Sequence, residues 1–181
     1  MVSFTLSGGI VMREFRQEDA EAVYETVISN SAHLQKFMHW MSPNYSIRSA
    51  KDFIADSIKK REYRENLSLG LFRPHGRFIG SVGFVNFDWP ARKTEIGYWI
   101  AQDEQGKGIV TEACGRLIDL AFSEMQLNRI EIRCSALNLR SAAIPKRLGF
   151  MKEGHLRQVE IRNGRLHDFE IYGLLASDRP H

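Results

Sequence analysis

One stretch limits this chain more than any other. Glu95-Ile-Gly-Tyr-Trp-Ile-Ala101 runs into Gln-Asp-Glu-Gln-Gly-Lys-Gly108 and then Ile109-Val-Thr-Glu-Ala113. It reads as a strand, a glycine-bearing turn and the start of a helix. Apolar residues at helical spacing carry that helix from Ile109 to Met125. Gly106 and Gly108 allow backbone angles closed to other residues and let a ligand come close to the main chain. The first N–H groups of the helix have no partner within it. With the helix dipole they form a site for phosphate or pyrophosphate. The stretch lacks the Gly-Lys-Ser/Thr ending of a Walker turn and the third glycine of a dinucleotide fingerprint. Two readings stay open on this evidence: a phosphate cradle, or a strand-to-helix turn that needs glycine only for its shape.

The rest of the chain supplies the surroundings. Ile10 to Phe15 reads as a strand. Asp19 to Ile28 follows as a helix, and a short helix holds Leu34, Phe37 and Met38. Ser46 is placed to cap a helix running to about Tyr63. Leu67 to Phe72 and Phe78 to Phe87 are strands joined by the turn Pro74-His75-Gly76, and Glu95 to Ala101 is the next strand. Beyond the long helix come a strand from Arg129 to Ala136 and a helix from Ser141 to Leu148. A hairpin of Phe150 to Ile161 and Leu166 to Leu175 closes the chain around Asn163-Gly164. The order predicts an α+β fold with a mostly antiparallel mixed sheet, flanking helices and one parallel crossover around the long helix.

Composition narrows the class. With 181 residues, 43% hydrophobic and 26% charged, the chain reads as a single domain over residues 1–181 with a core of ordinary size. A net charge of +3 is too small to argue for nucleic acid and is compatible with an anionic small ligand. Cys114 and Cys134 read as reduced thiols, not a disulfide framework. No apolar run reaches membrane-span length and the N-terminal residues lack a signal profile, so the expectation is a cytoplasmic protein away from membranes. The six histidines have no metal-ligand spacing, and no metal is expected.

Gln105-Gly-Lys-Gly-Ile109 before a long helix resembles the acyl-coenzyme A pyrophosphate loop of the GNAT acetyltransferases, Gln/Arg-x-x-Gly-x-Gly/Ala. Gln105 and Gly108 fit, while Val110 departs from the last small residue. Thr94-Glu-Ile-Gly-Tyr-Trp99, Asn138-x-x-Ser141, Leu148-Gly-Phe150, Glu153-Gly154 and Asn163-Gly164…Asp168…Tyr172 resemble the ribosomal-protein-alanine (RimJ/RimL-like) branch. The resemblance covers nearly the whole chain and is specific in its C-terminal two-thirds. It implies a GNAT fold with splayed central strands, acetyl-CoA as donor and a primary amine as acceptor. By likeness to the branch, that amine is the N-terminal α-amine of a ribosomal or other protein. Family members often form dimers, so a homodimer is an expectation.

Acetyl transfer needs a base for the amine, a polarised thioester carbonyl, support for the leaving thiolate and alignment of both reactants. Glu95 is the candidate base, with a strand-edge surface glutamate as the alternative reading. Ser141 is the candidate for protonating or steadying the thiolate, a role that helix capping does not exclude. Tyr172 is the second candidate for that task. By resemblance, Gln105, Gly106, Lys107, Gly108, Ile109 and Val110 hold the pyrophosphate. The backbone of Trp99, Ile100 and Ala101 pairs with the pantetheine arm, and Asn138 touches it. Cys114 and Cys134 read as packing residues and not acyl carriers. Phe37, Met38 and Trp40 read as core more readily than as a cleft wall. Two rival functions remain: the same chemistry on a polyamine, amino acid or aminoglycoside, or a non-catalytic acyl-CoA-binding protein.

Overall fold

The computed structural model describes residues 1–162 and 164–179. Eight strands form one sheet: β1 (Ser3–Leu6), β2 (Ile10–Glu14), β3 (Leu67–Phe72), β4 (Phe78–Asp88), β5 (Lys93–Ile100), β6 (Arg129–Ser135), β7 (Met151–Arg162) and β8 (Arg165–Leu175). The helices are α1 (Ala20–Ser29), α2 (Ser31–Leu34), α3 (Ile47–Glu62), α4 (Ile109–Asp119) and α5 (Leu139–Arg147). The strand order is β1-β2-β3-β4-β5-β6-β8-β7. Every pairing is antiparallel except β5 with β6. The crossover that makes this pair parallel carries α4, as the sequence pattern predicts.

The helices cover both faces of the sheet. Ala113, Cys114 and Leu117 of α4 are fully buried against one face, together with Ile130 and Ile132 of β6. Each such aliphatic side chain contributes about 1.5–3 kcal/mol relative to exposure. On the other face Val23 and Val27 of α1 and Ile54 of α3 close over Phe15, Phe72 and Phe78. Ser46 caps α3, its hydroxyl accepting from the Ser49 N–H at 3.4 Å.

The decisive feature lies mid-sheet. β5 and β6 pair only through Lys93–Arg129, Thr94–Ile130 and Glu95–Glu131. Past Glu95, β5 stays on β4 as far as Ile100, and past Glu131, β6 stays on β8 as far as Ser135. The two strands therefore part, and the edge groups of each are left facing a gap. This is the splay that the sequence resemblance implied.

Several element boundaries differ from the sequence reading. β1 is an added strand on the outer edge, because its four residues are too few to show a period. The long helix is α-helical only to Asp119 and continues as a π turn over Leu120–Glu124. α5 starts at Leu139, two residues ahead of Ser141, and its cap is Asn138. Of the hairpin turn, Gly164 has the expected positive φ of 71°, and Asn163 lies outside the described residues.

Candidate active site

A cleft of about 1230 Å³ opens where β5 and β6 part. The Gln102–Gly108 loop and the first turn of α4 form one wall, and Asn138 to Ser141 at the start of α5 form the opposite wall. α2 and the residues after it, among them His33, Lys36 and Phe37, close one side. Gly106 and Gly108 both have left-handed φ, 76° and 78°, and open space where a Cβ would stand. Their requirement for glycine is therefore conformational, and the space they leave lies beside the unpaired N–H groups of α4. Of the residues expected to hold a donor, Trp99, Ile100, Gln105, Gly106, Gly108, Ile109, Val110 and Asn138 line this cleft.

Two expected residues do not line it. Ala101 is buried and its N–H donates to Ile79 O at 2.8 Å, so this amide is committed to the sheet. Amide directions alternate along a strand, which leaves the main-chain groups of Ile100 facing the gap. Lys107 turns away, its Nζ donating to Glu104 Oε2 at 2.8 Å. Spacing alone could not reveal this, because the partner that redirects Lys107 is itself held by Arg73 from β3's far end.

Polar contacts tie the loop to both walls. Gln105 spans the cleft: its Oε1 accepts from Arg140 Nη1 at 2.6 Å and its Nε2 lies 2.7 Å from His33 Nε2. Burial, with Lys36 and Arg140 nearby, holds the His33 pKa below its ordinary value. The neutral ring this favours accepts the Gln105 amide. The Gln102 N–H donates to Asn30 Oδ1 at 2.8 Å, fixing the loop's start to the end of α1.

Inside the gap, hydrogen bonds between Tyr98 and Ser141 join β5 to α5. Ser141 Oγ donates to Tyr98 Oη at 3.2 Å, and Tyr98 Oη donates to Ser141 O at 3.1 Å. Burial pushes the Tyr98 phenol well above its usual range, so it stays a proton donor. The sequence reading missed Tyr98. Strand alternation could have found it, since it shares a face with Ile100. Asn138 caps α5, its Oδ1 accepting from the Ser141 N–H at 3.1 Å. Tyr172 is fully buried on β8, and its hydroxyl donates to Glu170 Oε2 at 2.5 Å, away from the cleft.

Glu95 lies at the vertex, the last β5 residue paired with β6. It is not part of the cleft wall. It shares the opposite face of β5 with Trp99, whose ring lies 5.9 Å from that of Trp40. Burial raises the Glu95 pKa, against an opposing pull from Arg133 and with a further push from Glu131. Arg133 Nε is 3.4 Å from Glu95 Oε2. The Arg133 guanidinium also donates to Glu131 Oε2 at 2.9 Å, so one cation serves two carboxylates. A carboxylate at the vertex, hydroxyls in the gap and unpaired N–H groups at the start of α4 are the groups that transfer from a phosphate-bearing donor would call for.

The comparisons with known proteins agree with that class. A family model described as acetyltransferase (GNAT) domain matches residues 10–151. The chain belongs to this family and is an N-acetyltransferase. The Bacillus subtilis protein YdaF, named provisionally as a ribosomal N-acetyltransferase, is 37% identical over 171 residues, 93% of this chain and 92% of its own. The Escherichia coli ribosomal-protein-serine acetyltransferase is 26% identical over 175 residues, 96% and 97% of the two chains. Among solved structures, the microcin C7 self-immunity acetyltransferase MccE, in complex with acetyl-CoA and AMP, superposes with a TM-score of 0.85 at 30% identity, covering 92% of each chain.

Proposed function

We propose that this enzyme, read as one domain over its whole length, transfers an acetyl group from acetyl-CoA to the N-terminal α-amine of a ribosomal or other protein. The observation that carries the reading is the parting of β5 and β6 directly beside the glycine loop. The gap offers strand-edge amides to a pantetheine arm and the start of α4 to a pyrophosphate. In this reading the Gln105–Val110 loop holds the pyrophosphate by its backbone, and the Ile100 main chain pairs with the arm. Glu95 takes a proton from the acceptor ammonium, directly or through water. The free amine attacks the thioester carbonyl, and the C–N bond forms. The tetrahedral intermediate collapses with cleavage of the C–S bond. The departing thiolate takes its proton from Ser141, whose hydroxyl is held by Tyr98, and the second proton, shed by the new amide nitrogen, restores that hydroxyl.

Direct transfer fits the cysteines. Burial pushes the Cys134 thiol up to about 11 and the Cys114 thiol higher still, so neither supplies a thiolate nucleophile near neutral pH. The protein acceptor is supported by the named relatives, and it would place the enzyme in the cytoplasm, where ribosomes are. Among the described residues no helix is long and apolar enough to cross a membrane. The likeness to MccE favours a second reading, the same chemistry on a small amine.

The test is release of coenzyme A from acetyl-CoA, with peptides bearing a free α-amine and a panel of small amines as acceptors. Turnover on peptides is expected. Turnover only on small amines would move the acceptor to that class and keep the mechanism. Tight coenzyme binding without turnover on either would refute the catalytic reading.

A further inference from the structure

Glu104 is a carboxylate in the wall of a cleft built for an anion, and it is 3% exposed. It closes the short helical turn Gln102–Glu104 that leads into the glycine loop. Arg73, from the end of β3, donates through Nη2 to Glu104 Oε2 at 2.6 Å and through Nε to Oε1 at 3.2 Å. Lys107 Nζ donates to Oε2 at 2.8 Å, and Arg77 Nη1 lies 3.6 Å from Oε1. These donors hold the carboxyl ionised, its pKa pulled down to about 2 chiefly by the hydrogen bond from Arg73.

We infer that Glu104 is a positioning residue for the donor site: it locks the Gln105–Gly108 loop onto β3 and draws the Lys107 side chain under the loop, so that the backbone N–H groups, and not the lysine, receive the pyrophosphate. The inference rests on the reading of acetyl-CoA as donor. The loop gains from such an anchor, because no neighbour lies within 4 Å of where a Cβ on Gly106 or Gly108 would stand and glycine is the freest of residues. A buried carboxylate that made no structural contribution would oppose a polyphosphate, so its placement here calls for a role other than charge attraction.

The sign of the effect separates the alternatives. By charge alone, Glu104→Gln removes a repulsion and tightens donor binding. By positioning, the loop loses its anchor and must be ordered when the donor arrives, which weakens binding. The experiment is calorimetric titration of coenzyme A together with steady-state kinetics on wild type, Glu104→Gln, Lys107→Gln and the double variant. For Glu104→Gln the expectation is a Kd for coenzyme A and a KM for acetyl-CoA each raised about 10-fold, with kcat and the acceptor KM within about twofold. Lys107→Gln is expected to add little on top of Glu104→Gln, since the two side chains act as one unit. Unchanged or tighter coenzyme binding in Glu104→Gln overturns the inference, as does a full additive loss from Lys107→Gln. If Glu104→Gln does not fold, Arg73→Gln must give the same donor-specific loss, and its failure to do so overturns the inference equally. A wild type that binds no coenzyme A refutes the donor reading instead.

Discussion

Replacing Arg133 with methionine tests the base assignment through the cation that faces it. Arg133 Nε stands 3.4 Å from Glu95 Oε2, with side-chain exposures of 43% and 25%. With the cation this open to solvent, a water-like dielectric applies, and two unit charges at that separation attract by about 1.2 kcal/mol. Screening at ordinary ionic strength trims this to about 0.7–1.2 kcal/mol. Losing the cation removes the pull that opposes burial, so the Glu95 pKa rises further. Glu131 already pushes in that direction, and without Arg133 its push is no longer offset. A general base works only when deprotonated, so kcat/KM rises with pH through its pKa. The ascending limb for Arg133→Met must therefore move to higher pH, and the plateau above it must not fall. The assay is coenzyme A release at subsaturating acceptor across pH 5 to 10, with Glu95→Gln alongside. If the limb stays where it is in the wild type, the Arg133–Glu95 pair does not set it. If Glu95→Gln keeps both its rate and its limb, Glu95 is not the base.

Two further outcomes are expected. Tyr98→Phe removes the hydroxyl that holds Ser141 and should lower kcat by about 10²-fold, with the acetyl-CoA KM nearly unchanged, as seen in the same release assay. Gly83→Ala would drive a Cβ to 2.1 Å from Leu67 O, where β3 and β4 pair. It should destabilise the fold by about 2–4 kcal/mol, read as a lowered midpoint in urea unfolding.

The part of this fold that announces itself in the sequence is the part whose causes are local. Leu67 to Phe72 is the strand the pattern marks out, because its apolar run is bounded by turn residues on the far side. Gly106 and Gly108 are legible as left-handed positions because the geometry of a strand-to-helix turn asks for them within a few residues. The directions of side chains are another matter. Lys107 reads as a phosphate ligand until Glu104 is seen to claim it, and Glu104 is held in turn by Arg73, 31 residues earlier in the chain. The Tyr98–Ser141 bridge joins residues 43 apart, and no spacing rule connects a β5 phenol to the third residue after Asn138. Asn138 itself looks like a ligand contact and proves to be a helix cap that also lines the cleft.

The same parting of strands accounts for both halves of the site. A sheet whose central strands stayed paired would satisfy Ile100 and bury Tyr98 under a continuous ladder, leaving neither a slot for a donor nor a hydroxyl at its floor. The ladder instead ends at Glu95 and Glu131, two carboxylates side by side in register. Like charges in that position repel, and the repulsion is tolerated because Arg133 is shared between them. If Glu95 is the base, an acceptor ammonium arriving there brings a second cation to the same pair. Its binding and its deprotonation would then be coupled through one group, the charge that draws the amine in being the one that takes its proton. Arg133 would then compete with the amine for Glu95, which predicts that Arg133→Met lowers the acceptor KM at pH values above the shifted limb while leaving the acetyl-CoA KM in place. An acceptor KM that rises instead would mean that Arg133 holds the acceptor and does not compete with it.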